Sequence, residues 1–373
     1  MFILAGQSNM QGQAHVRTFD VMRLDPKTAP ILEEMRAADG TPRVCERVWI
    51  SSIGCADEEQ VGRLTAGFGA KKGGPKIGPE FTFGIYMQKF ADEPILIIKT
   101  AWGGKSLNTD FRPPSAGPYE FNEKQLEGYK KQGKDIDAIK AEKAKATGRY
   151  YRLMIDHVKK VLADIKRVCP AYDPEQGCEL AGFVWFQGWN DMVDQGTYPD
   201  RGKPGGYDAY SECLAHFIRD VRKDLSVPEL PFVIGVMGAG GPTDKYPPRK
   251  MRYKAIHDNF RAAMAAPADL PEFKDNVAAV RTEKYWDMEL VALKARDATI
   301  RQELEELKEQ GSLTREEEKA ALEKRRAEAF TPREIEMLTR STSNFEFHYW
   351  GSAKIMAQIG KGFAEAMADL MKR

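Results

Sequence analysis

The chain is short of the residues that hold metals or redox centres: five histidines and five cysteines in 373 residues. Cys45, Cys55, Cys169, Cys178 and Cys213 contain no CxxC pair and no Cys/His run. No metal site and no cofactor are therefore expected. Cys169 and Cys178 flank PAYDPEQG, a spacing that would close a small loop in an exported protein; free, partly buried thiols are the expectation. No stretch reaches the roughly 18 consecutive apolar residues of a membrane span. Net charge is also nearly absent, at +1 from 56 basic and 55 acidic residues. Neither nucleic acid nor an anionic membrane is indicated as a partner. No basic n-region or small-residue cleavage site is visible in a chain that starts inside its first strand, so localisation stays open, as does the oligomeric state. No internal repeat or low-complexity linker occurs, and one elaborated domain over 1–373 is expected. The G-x-S-x-G elbow is missing, which disfavours an α/β-hydrolase. GFGAKKGGPK matches neither GxxxxGK[ST] nor GxGxxG and reads as a flexible loop.

What is present is an alternation of short apolar runs and helix-compatible stretches. Strands are expected at 1–6, 48–53, 94–101, 180–188, 231–238 and 276–282. Several are apolar on both faces, as in a parallel sheet covered on both sides. Helices are expected at 81–91, 149–167 and 207–225, and from Gly351 onward. The pattern predicts an α/β fold, a three-layer α/β/α sandwich with a mostly parallel sheet. Charged helical insertions are expected at about 108–148 and 287–335. The second reads as a solvated helical hairpin with Gly311 at its turn.

Ligands in such sheets sit beyond the carboxyl ends of the strands. Ser8, Gly103, Asn190 and the loop GAGGPTDKYPPRK all fall there. MFILAGQSNM runs an apolar strand straight into Ser8. Helix caps use the same residue types, so a nucleophile needs a base and an oxyanion hole elsewhere in the chain. His157 and His216 fall within predicted helices, His257 is expected to be helical, and His15 follows the first turn. His348 sits on an aromatic loop that can return to the sheet top. WFQGWND places Asn190, an amide donor suited to an oxyanion, at a strand end. IIKTAWGGKSL offers Gly103 and Gly104, whose N–H groups no Cβ obstructs.

These blocks resemble the SGNH hydrolase superfamily, with its flavodoxin-like fold, in the branch of sialate O-acetylesterases and carbohydrate esterase family 6 acetylxylan esterases. GQSNM resembles the first block, with Ser8 matching the nucleophile. WGGKSL resembles the second, with Gly104 or its neighbour Gly103 matching the oxyanion glycine. QGWND resembles the third, with Asn190 matching the oxyanion asparagine. FHYWG resembles the last, with His348 matching the base, and GPEF (78–81) resembles a further recurring segment. The resemblance implies a serine esterase that removes O-acetyl groups from carbohydrates: acetylated xylan, another polysaccharide, or sialic acid. It also implies export, to the periplasm or beyond.

Two departures concern the triad acid. Trp189 stands where the branch often has glutamate. Phe345 stands where the final DxxH block has aspartate. Glu346 is assigned as the acid, with Asp191 as runner-up and no acid as a third option. Ser8, Gly104 and Asn190 are assigned to the oxyanion hole. Gln7, Gln187, Trp102 and Trp189 are assigned as substrate contacts. Tyr349 and Trp350 extend an aromatic surroundings suited to sugar stacking or to core packing. Arg112 and Lys105 are within sequence reach of an acidic sugar. The alternatives are a non-catalytic carbohydrate-binding protein on this scaffold, and a lipase or thioesterase of the same superfamily.

Overall fold

Seven strands form the central sheet in a computed structural model that describes residues 1–309 and 314–372. They are β1 (Phe2–Gly6), β2 (Val48–Ile53), β3 (Gln60–Arg63), β4 (Ile95–Ala101), β5 (Gly182–Phe186), β6 (Phe232–Val236) and β7 (Val277–Arg281). Their order is β3-β2-β4-β1-β5-β6-β7. Every neighbouring pair is parallel except β2 and β3. The β2–β3 hairpin is an addition at one edge. Without it the order is second, first, third, fourth, fifth, which is the flavodoxin-like arrangement. The strand order reverses between β1 and β5, so the crevice for a ligand lies beyond Gly6 and Phe186.

β1, β4, β5 and β6 are buried along their whole length. Helices cover both faces, and the side-chain alternation of a strand sorts the contacts. On one face Phe183 packs edge-on to Phe217 of the helix Asp208–Asp224. Tyr151 of the helix Arg149–Ala163 meets the same ring. On the other face Phe186 meets Phe363 of the helix Ala353–Met371, and Phe2 meets Phe83 of the helix Pro79–Met87. Those last two helices touch backbone to backbone at Gly360, where a Cβ would lie 2.3 Å from Pro79 O. The expected three-layer α/β/α sandwich is the observed fold.

The charged segments are helical. The first holds two helices, Glu123–Lys131 and Ile136–Ala146, separated where Gly133 turns left-handed at φ +66° and Asp135 caps the second. The second contains Met288–Glu309 and Arg315–Ala329, followed by a third helix, Pro332–Arg340, that runs past the expected boundary. The expected turn at Gly311 lies outside the described residues. All five cysteines are free, and only Cys178 is exposed. No described helix is long and apolar enough to cross a membrane.

Candidate active site

Ser8 is delivered by a turn that requires glycine. A Cβ on Gly6 would lie 2.1 Å from Phe186 O. With hydrogen there instead, β1 and β5 stay in register to their ends, and Gln7 N donates to Phe186 O. Ser8 then opens a single helical turn, Ser8–Gln11, and keeps a 9% accessible face. Beneath that turn lies a wholly buried ion pair, Lys99 Nζ to Glu80 Oε2 at 2.6 Å. Lys99 also donates to Gln11 O and Phe68 O, and Glu80 accepts from Gly78 N. Hydrogen bonds to the remaining groups are what let a buried pair persist. This is the use to which the GPEF segment is put: it braces the Ser8–Gln11 turn from below.

Gln7 and Asn190 orient one another. Gly188 N donates to Gln7 Oε1 at 3.1 Å, and a backbone N–H can only donate. The other end of that amide, Nε2, therefore faces Asn190 Oδ1 at 3.2 Å. Asn190 Oδ1 is thereby occupied, and its Nδ2 donor is turned away from Gln7. Gln187 completes the network by donating to Gln7 Oε1, Lys105 O and Asp191 Oδ2. Gln7 and Gln187 are 1% and 2% exposed. The expectation that they contact substrate is corrected: both amides are consumed in positioning the strand ends.

Asp191 is likewise structural. It accepts from Leu107 N, Asn108 N, Gln187 Nε2 and Tyr198 OH, and so ties the loop after β4 to the loop after β5. Burial raises its pKa to about 6 against those four hydrogen bonds, which lower it. In the loop it anchors, Gly103 borders the Ser8–Gln11 turn: a Cβ there would sit 2.9 Å from Gln11 Oε1 and 3.9 Å from Ser8 Cβ. Gly104 supplies the left-handed turn at φ +73° and faces open space. Arg112 is used within its own loop, on Gly117 O, Ala116 O and Asn108. Lys105 lies over the Tyr150 ring.

His348 is carried by a strained loop. Tyr349, Trp350 and Gly351 are left-handed in succession, at φ +51°, +56° and +57°. Each of the two non-glycine residues costs roughly 1–2 kcal/mol in that region. Tyr349 offsets this. It is fully buried, its hydroxyl accepts from Gly238 N at 2.7 Å, and it pairs with Thr282 Oγ1 at 2.7 Å. Burying such a ring contributes about 1.5–3 kcal/mol. Asn9 Nδ2 donates to Phe347 O at 3.1 Å, which fastens the loop beside Ser8.

The partner of the His348 ring is Asn344. Its Oδ1 lies 2.9 Å from His348 Nδ1 and also accepts from Phe345 N at 2.8 Å. Glu346 does not reach the imidazole, because it pairs with Lys250. The assignment of Glu346 as the acid is therefore corrected, and Asp191, whose carboxylate is taken up by Leu107 N and Asn108 N of the loop after β4, does not replace it. Burial and nearby Lys76 lower the His348 pKa to about 4. A separate Ser–His–Glu cluster, Ser51, His157 and Glu59, has its serine fully buried, and its Glu59 turns outward to Lys160 and Arg167.

The open aromatic surface differs from the expected one. Trp102 packs into Phe111 and Tyr150, and Trp350 onto Trp286. Trp189 instead stacks near Phe347 at 5.4 Å, and Phe347 is stacked on Phe345, which is 69% exposed. The sequence reading missed these two phenylalanines as surface, because an aromatic loop reads equally well as core. Trp189 and Phe347 wall a cavity of about 460 Å³ with Tyr246, Lys250 and His257. A second cavity of about 430 Å³, lined by Met1, Pro94, Ile165 and Met371, opens at the amino ends of the strands, away from Ser8.

Comparison with known proteins identifies a family. A family model described as carbohydrate esterase, sialic acid-specific acetylesterase, matches residues 1–283. That span includes Ser8, Gly103, Gly104 and Asn190 and stops short of His348. No curated protein matches. Among solved structures, a protein from Arabidopsis thaliana is 17% identical over 75% of this chain and 84% of its own, with a TM-score of 0.42. A carbohydrate acetylesterase from Xanthomonas citri is 15% identical over 75% and 49%, with a TM-score of 0.38. NanS is 13% identical over 75% and 76%, with a TM-score of 0.38.

Proposed function

Because the chain belongs to the sialic acid-specific acetylesterase family of carbohydrate esterases, we propose that it removes O-acetyl groups from a saccharide through an acetyl-Ser8 intermediate. The observation that carries this reading is the ring of contacts around Ser8. Its neighbour Gln7 holds Asn190, its neighbour Asn9 holds the His348 loop, and Gly103 borders the Ser8–Gln11 turn.

His348 Nε2 takes the Ser8 hydroxyl proton as Oγ attacks the acetyl carbonyl carbon. The oxyanion is met by Ser8 N–H, Asn190 Nδ2 and a backbone N–H of the Gly103–Gly104 turn. His348 returns the proton to the sugar oxygen as the C–O bond breaks. Water, deprotonated by the same nitrogen, then attacks acetyl-Ser8 and releases acetate. The Trp189–Phe347–Phe345 surface offers stacking faces to the sugar.

The test is acetate release from 4-nitrophenyl acetate, acetylated xylan and O-acetylated sialic acid. Ser8→Ala is expected to abolish release from all three. Phe345→Ala is expected to raise KM several-fold for the preferred saccharide and leave 4-nitrophenyl acetate unaffected. Equal release from wild type and folded Ser8→Ala would instead favour a carbohydrate-binding protein.

A further inference from the structure

We propose that Asn344 is the positioning residue of the site: a neutral amide that holds His348 with its proton on Nδ1, in the place where an acid would stand. The inference rests on the assignment of His348 as base. It follows from the direction in which each hydrogen bond must run. Phe345 N–H can only donate, so the atom it meets on Asn344 is the carbonyl oxygen. The amide's other end agrees, because Nδ2 lies 3.3 Å from Gln13 Oε1. That oxygen in turn accepts from Lys76 Nζ, which has no acceptor to offer. The amide is fixed at both ends and cannot present its nitrogen to the ring. His348 Nδ1, 2.9 Å from Asn344 Oδ1, must therefore carry the hydrogen. A neutral imidazole protonated on Nδ1 has its lone pair on Nε2. That is the tautomer needed to take a proton from Ser8.

Neutrality separates Asn344 from an acid. A carboxylate orients the ring and also stabilises the imidazolium that forms during the reaction. An amide oxygen orients the ring but brings only a dipole. The charged groups around the loop do not supply the missing anion. Lys76 is cationic, Glu346 is paired with Lys250, and Lys294 lies over the Trp350 ring. The base therefore remains deprotonated far into acid, consistent with a His348 pKa lowered to about 4.

Asn344→Asp keeps an oxygen for Phe345 N and His348 Nδ1 and adds one negative charge. An opposite charge in contact raises a histidine pKa by about 1–3 units. The experiment is the pH dependence of kcat/KM for acetate release from 4-nitrophenyl acetate by wild type, Asn344→Asp and Asn344→Ala, with Ser8→Ala as control. The acidic limb is expected near pH 4 in wild type and about 1–3 pH units higher in Asn344→Asp. Asn344→Ala is expected to lose kcat at least about tenfold with little change in KM. If Asn344→Ala does not fold, the limb of Asn344→Asp decides alone. A limb for Asn344→Asp that coincides with wild type overturns the proposal. Activity that survives in Ser8→Ala overturns the underlying assignment instead, and so is told apart from failure at Asn344.

Discussion

At the scale of single residues, the site is built from amides whose orientation is forced by backbone donors. Gly188 N–H sets Gln7, Gln7 sets Asn190, and Phe345 N–H sets Asn344. Losing one oxyanion donor costs about 10²–10³ in kcat. Asn190→Ala is therefore expected to lower kcat by about that factor while its melting temperature stays close to wild type, since the residue is only half-buried. Unchanged kcat in a folded variant would remove Asn190 from the hole. That Ser8, Asn190 and the glycines lie beyond the carboxyl ends of the strands was legible, because each follows an apolar run within four residues. The roles of Gln7 and Gln187 were not, because a polar residue beside a motif reads as a ligand contact until its burial is known. Asn344 was hidden by geometry. The tight turn over Glu346–Gly351 makes the residue four positions before His348 its partner, whereas the expected motif looks three positions back.

At the scale of elements, two loops of the candidate site are each tied to the fold by a buried anchor. Asp191 ties down the loop that holds Gly103, and Tyr349 ties down the loop that holds His348. Tyr349→Phe keeps the ring but leaves Gly238 N–H without its acceptor inside the protein. Such a loss costs about 1–3 kcal/mol. A lower melting temperature and a reduced kcat are expected together, because the strained Tyr349–Trp350 backbone is no longer fully offset. Wild-type values for both would show that ring packing alone holds the loop. The parallel strands were readable as apolar runs with boundaries off by a residue or two. β3 was not, because its sequence QVGR is polar and half-exposed at the sheet edge. The split of 123–146 into two helices was also missed, since Gly133 sits inside an otherwise helix-compatible charged run.

At the scale of the whole molecule, acid sensitivity follows from buried histidines. His157, His257 and His348 are each lowered to about 4, chiefly by burial. An unfolded histidine titrates near 6.5. Between those values the unfolded chain binds more protons than the folded one, so stability falls as pH falls through that window. Asp191, raised to about 6, acts in the opposite sense over much of the same range. Three groups outweigh one, so the melting temperature is expected to drop between about pH 6.5 and 4.5. A flat profile there would mean that the three imidazoles are not sequestered.

The hydrogen bond from Asn9 to Phe347 joins residues 338 positions apart. On a ribosome the turn that holds Asn9 is made 338 residues before Phe347. At about 5–20 residues per second, the two emerge roughly 20–70 s apart. Until the loop that holds Phe347 and His348 has been made and docked, the proposed Ser8–His348 pair is incomplete, so a nascent chain that has made only the Ser8 turn is expected to be inactive.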